Sequence, residues 1–196
     1  MMLHPATAHF AMVLPVVASI FGLVYLFNRS EGMSKISARL TVVAAIAMIG
    51  VWYTGSQAGP QIYDYLSEAG QHELIEHKNL GLYLAIAMGI IAILQFIGCQ
   101  TKKFAVQALA IILLFGATAT TMLQGKHGGE IVYNHGMPFK SYMIEETLSD
   151  AVSDADEEDD DSAKVEIYED AIDDIGMISE DVDKIYGNTP ESEEEE

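Results

Sequence analysis

The sequence predicts an all-α membrane protein: a four-transmembrane-helix bundle with an acidic, largely disordered C-terminal tail. Three observations predict it. Four stretches, about Pro5 to Phe27, Ile36 to Gly55, Asn79 to Gly98 and Phe104 to Gln124, match the roughly 20 apolar residues of helix that a hydrocarbon core of about 30 Å requires. None has an acid or base in its middle; Arg39 stands close to the start of the second, where a long side chain can snorkel to the headgroups. Finally, the charge divides the 196-residue chain at about residue 144. Residues 1–144, the transmembrane domain, hold six acids against eight bases, a net of +2, whereas the tail, 145–196, holds 23 acids and two lysines, a net of −21. The formal charge of −19 is a property of the tail, so the low pI says nothing about partners of the membrane domain.

The first span opens with HPATAHF, where Pro5 suits a first helical turn because its missing amide hydrogen has no helical partner there. No basic segment precedes it and it exceeds a signal h-region in length, so it is expected to remain as a membrane helix. Arg29, Lys35 and Arg39 surround the first loop, and Lys102 and Lys103 occupy the tight turn between spans three and four. The second loop has Lys78 alone beside Asp64, Glu68, Glu73 and Glu76. Positive loops are retained in the cytoplasm, so both termini are expected on the extracytoplasmic side, with Lys126 and Lys140 too far from the loops to reverse the balance. Cys99 stands alone, which excludes an intramolecular disulfide and a cysteine-based metal site.

This orientation brings all six histidines to one membrane face: His4 and His9 on the first span, His72 and His77 before the third, His127 and His135 after the fourth. A spacing of five residues turns a helix by about 140°, so only one member of each of the first two pairs is expected to point into the bundle. His77 heads a stripe of small residues, Gly81, Ala85 and Gly89, that admits a neighbouring helix or a flat ligand. His9 is favoured over His4 because it lies one turn further in, where an unpaired imidazole would be expensive. The segment GKHGGEIVYNHG, residues 125–136, is expected to form a compact loop, with turns at Gly128, Gly129 and Gly136 and extended character from Glu130 to Tyr133. His127 and His135 would then be lid residues, second-layer donors or ligands.

In the tail, Asp154 to Asp161 is expected to be a self-repelling linker. Tyr168, Ile172, Ile175, Val182 and Ile185 recur at nearly helical spacing, which predicts one or two short amphipathic helices with a break allowed at Gly176, before disorder over 189–196. One reading is an acidic solubilising coat; the other is a docking segment for a basic protein or a weak Ca²⁺ buffer. The residues disfavour an EF-hand calcium loop starting at Asp154, since Asp159 stands where it needs glycine and Val165 where it needs glutamate.

The HPxxxHF opening, the TGxxAG string from Thr54 to Gly59, the histidines before the third span and GKHGGEIVYNHG together resemble an uncharacterised integral-membrane family, domain of unknown function 2231. The resemblance covers roughly Leu3 to Tyr142. It implies a four-helix protein of the prokaryotic cytoplasmic (inner) membrane, suspected of binding haem or working in respiration, and brings no established activity.

Haem b is the ligand favoured by the residues themselves. His9 and His77 would supply both axial positions, Gly81 and Ala85 would make space for the macrocycle, and a filled coordination sphere would point to electron transfer with a membrane quinol or an extracytoplasmic cytochrome. The rival is a Cu or Zn site drawn from His4, His9, His72, His77, His127 and His135, with Glu73, Glu76 or Glu130 nearby, serving metal handling or sensing. A third reading is a structural membrane subunit whose tail recruits a basic partner. No residues form a nucleophile, phosphate-loop or nucleic-acid-binding pattern, so no catalytic residue is assigned.

Overall fold

The computed structural model describes residues 3–63, 66–135 and 138–186, and every regular element among them is helical. In order these are α1 (His4–Asn28), α2 (Glu31–Ile62), α3 (Glu68–Thr101), α4 (Phe104–Glu130), a π-helical turn (Ile131–His135), α5 (Pro138–Glu157) and α6 (Asp161–Tyr186). The chain divides into two compact units, Met1–Gly129 and Glu130–Glu196.

The four helices of the first unit are long and apolar enough to cross a membrane. At 34 residues α3 is about 51 Å long, so its polar first turns extend beyond a hydrocarbon core of about 30 Å. The packing is that of a bundle solvated by lipid. Its interior is built largely from small residues, Ala11, Ala18, Ala44, Ala45, Ala85, Ala92 and Ala117, around Leu84, Met88, Ile91 and Leu114. Large side chains such as Ile46, Ile90, Ile93, Phe96 and Ile112 face outward. Lipid tails give no hydrophobic reward for burying those side chains, whereas small residues let backbones approach and gain dispersion contacts.

Helix α1 packs on α2 and α2 on α3. Helix α4 is tied to α1 by a 3.1 Å hydrogen bond between the buried Ser19 and Thr118 hydroxyls. A cross-helix network fills the end of the bundle near the short turns. The Thr41 hydroxyl donates to Gln95 Oε1 at 2.6 Å, Gln95 Nε2 donates to Ser37 Oγ at 2.7 Å, and Ser37 donates to the Ala18 carbonyl at 2.9 Å. Close by in sequence, the Ser34 hydroxyl donates to Gln107 Oε1. Gly98 makes room for Gln107: a Cβ there would stand 2.8 Å from Gln107 Cγ and 2.9 Å from its backbone nitrogen.

The turns at this end are closed by Arg29 and Lys102, left-handed residues with φ of 53° and 54°. Arg29 lies over the Phe104 ring, 3.7 Å from its centroid, and Glu31 meets Lys35 at 2.8 Å and Lys102 at 3.6 Å. The bases expected around the first and third loops are therefore gathered at one end.

The expected loop at 125–136 is instead helical: α4 runs through Gly125, Gly128 and Gly129, and Ile131–His135 adds a π turn. Two of those glycines serve close packing rather than chain reversal, since a Cβ on Gly125 would stand 2.8 Å from Met12 Sδ and one on Gly128 3.0 Å from His77 Cε1. The turn expected at Gly136 lies outside the described residues.

The second unit differs from the largely disordered tail expected. Helix α5 packs on α6, and Ala151, Ala155 and Ala171 are buried. The expected linker, Asp154 to Asp161, shrinks to the three residues between Glu157 and Asp161, and α6 continues through Gly176. A local side-chain pattern supports the break: Glu158 Oε1 accepts from the Asp159 and Asp160 amides, and the Ser162 hydroxyl donates to Asp160, holding that carboxyl below the usual range. The side chains of Val182 and Ile185, and the expected disorder over 189–196, lie outside what the structure describes.

Gly98→Ala should destabilise the bundle by about 1–3 kcal/mol through overpacking against the Gln107 backbone. Gln95→Leu should cost about 1–2 kcal/mol through two lost interhelical bonds. Denaturant titration of helicity in mixed micelles measures both.

Candidate functional site

At the opposite end of the first unit two histidines from different helices meet. The His4 and His77 rings lie 6.4 Å apart, centroid to centroid, with planes at 87°. Helix α1 presents His4 in its first turn, and the ring is set by α2, where Nδ1 lies 3.1 Å from the Val51 carbonyl and 3.4 Å from Thr54 Oγ1. A carbonyl oxygen only accepts, so the bond to Val51 places the proton on Nδ1 and leaves the Nε2 lone pair free. Thr54 donates to the same carbonyl at 3.0 Å and meets Thr7 Oγ1 at 2.9 Å, completing a polar collar around His4.

Glycine sets both imidazoles. A Cβ on Gly55 would stand 2.8 Å from His4 Cε1, so α2 tolerates only glycine beside that ring in its present position. Gly128 of α4 plays the same part for His77. The His77 carbonyl accepts from Gln124 Nε2 at 2.6 Å, while His77 Nδ1 is buried with no hydrogen-bond partner. Trp52 Nε1 and Gln124 Oε1, near the same end of α2 and α4, are likewise buried and unpaired. A buried polar atom without a partner is costly in a dry interior, and three such atoms lie toward this end of the bundle.

The inward member of the first pair is His4, in place of the His9 expected. His9 is exposed, and its Nδ1 bonds the Pro5 carbonyl one turn back at 2.7 Å. The extra turn of depth that favoured His9 is outweighed by helix phase, which turns it out of the bundle while its own backbone satisfies it. His77 is inward and His72 outward, as the small-residue stripe predicted; His72 is exposed 3.8 Å from Glu76. The stripe itself is partly filled by protein, because Gly81 faces Gln124 and Ala85 belongs to the core. His127, in the last turn of α4, is exposed. His135 lies in the π turn of the second unit. Among the described residues no three His, Cys, Asp or Glu side chains are grouped closely enough to hold a metal ion as they stand.

Sequence reasoning missed Thr7, Thr54, Gly55 and Gln124. For Thr54 and Gly55 a signal existed, the TGxxAG string, whose first two residues orient His4. Residues 1–140 match the family model described as predicted membrane protein (DUF2231). The chain belongs to this family. The match includes the four long apolar helices and the His4–His77 pair, and ends just inside α5. No match was found among curated proteins or among solved structures.

Diethylpyrocarbonate should modify His9 and His72 first and His77 last, in the order of their exposure, as followed by peptide mass spectrometry.

Proposed function

We propose that this membrane protein binds a copper ion between His4 and His77, as a metal-handling or sensing module of the prokaryotic inner membrane. The 6.4 Å approach of two rings from different helices carries the reading. Two metal–nitrogen bonds of about 2.0–2.1 Å account for about 4 Å of that separation, and the remainder is taken by the two ring radii. The Val51 carbonyl supplies the outer hydrogen bond that commonly fixes the tautomer of a ligating histidine, and the unpaired His77 Nδ1 offers a buried lone pair. Imidazole suits several transition metals, and with only two protein donors the Irving–Williams order favours copper over zinc. His127, exposed in the last turn of α4, is a candidate for a further ligand.

Haem is the second reading, favoured by the same pair, since two nearly perpendicular imidazoles from different helices also suit axial ligation, with a quinol or cytochrome as redox partner. Copper is preferred because a macrocycle needs a slot beside the pair. Gly55 and Gly128 already hold imidazole at contact distance, and Gln124 occupies the approach to Gly81. The gathering of Arg29, Lys35, Lys102 and Lys103 at the far end supports placing the histidine end outside and the Cys99 end in the cytoplasm.

Purified full-length protein in nanodiscs should bind about one copper per chain by elemental analysis. His4→Ala and His77→Ala should each weaken binding more than about tenfold, and His9→Ala and His72→Ala should leave it unchanged. A Soret band lost on the same two substitutions would replace copper with haem, and equal binding by all four variants would remove the pair from either role. In spheroplasts, an impermeant maleimide should leave Cys99 unlabelled until the membrane is opened.

A further inference from the structure

The second unit carries a surface that the histidine site leaves unexplained. Helices α5 and α6 are joined by three residues and pack on each other, which makes them an antiparallel hairpin. Leu148 and Val152 on α5 are 45% and 49% exposed, and Tyr168 and Ile172 on α6 are 42% and 65% exposed. Their register is informative. Val152 follows the buried Ala151 by one residue, with Leu148 one turn before it; Ile172 follows the buried Ala171 by one residue, with Tyr168 one turn before it. One residue turns a helix by about 100°. Because the two helices run in opposite directions, equal offsets rotate both stripes to the same side of the hairpin. The four side chains therefore share one face, with a turn of each helix between successive members.

Charge selects the occupant. Between Ser141 and Glu180 the hairpin has sixteen acids and one base, Lys164. A second copy of the hairpin, or an anionic lipid surface, would be repelled from this face. A helix with an apolar stripe and Lys or Arg on its flanks is complementary in both respects, since its stripe covers Leu148, Val152, Tyr168 and Ile172 while its bases meet the surrounding carboxylates. We infer that this face of the α5–α6 hairpin is a docking site for a basic amphipathic helix of another protein. The inference is independent of the metal site.

The test uses full-length protein in zwitterionic nanodiscs and a fluorescent peptide of leucine and lysine arranged at helical period, with a second peptide of the same composition in scrambled order. Fluorescence anisotropy should show the periodic peptide binding at least about tenfold more tightly than the scrambled one. Leu148→Ser with Ile172→Ser should reduce that preference about tenfold, and so should Val152→Ser with Tyr168→Ser. Because the four side chains are exposed, circular dichroism should show unchanged helicity, and native-size analysis should show no self-association through the tail. Equal binding of the two peptides would reduce the surface to a charged coat and overturn the inference. So would absence of binding, a preference retained in both double variants, or dimers that dissociate when the four residues are changed.

Discussion

The chain of hydrogen bonds from Thr41 through Gln95 to Ser37 and on to the Ala18 carbonyl is the constraint on which the membrane unit depends. In lipid, apolar burial does not distinguish one helix arrangement from another, because the tails are as apolar as leucine. Directional bonds and close backbone approach must do so. Gln95 brings α3 to α2, Ser37 brings α2 to α1, and Ser34 with Gln107 brings α4 to α2. Small residues then allow the distance these bonds require. Ala18 and Ala44 at the core, and Gly98 against Gln107, are the steric conditions for a polar network that a bulkier interior would pull apart.

The two ends of the bundle use polar groups in opposite ways. Near the short turns the buried amides and hydroxyls are paired across helices, and the basic residues are held by Glu31 and the Phe104 face. At the histidine end Trp52, His77 and Gln124 each retain a buried atom without a partner, although glycine positions the rings closely. Pairing fixes a fold, whereas unpaired donors and acceptors in a defined geometry leave coordination capacity for a ligand. That contrast directs a functional reading to the half-buried His4 and His77 and leaves the fully buried, fully paired Gln95 with a structural role.

Much of this architecture was legible in the sequence because a membrane imposes a length and a composition that a single chain displays. The four spans, the inward His77 and the outward His72 followed from apolar runs and small-residue spacing. The inward His4 did not. Depth along α1 favoured His9, but rotation is set by how α1 meets α2, through the Val51 carbonyl and Gly55, and no periodicity within α1 contains that contact. The helical course of 125–135 was hidden for a related reason. Glycines that usually break helices are tolerated where a neighbouring helix needs their missing Cβ, as Met12 and His77 do here.

Charge misled the reading of the tail because it was weighed without tertiary packing. Sixteen acids between Ser141 and Glu180, thirteen of them on the two helices, repel one another, and Ala151, Ala155 and Ala171 bury little area against that repulsion. Helical order in such a hairpin therefore rests on a thin alanine interface, local bonds such as Ser162 to Asp160, and screening by salt. Any cation that settles among the carboxylates relieves the repulsion and stabilises the helices. A basic helix does so while also covering the four exposed apolar side chains, so its binding and the folding of the hairpin reinforce each other. The same linkage distinguishes specific docking from simple condensation of counter-ions, because only the former draws on the apolar face.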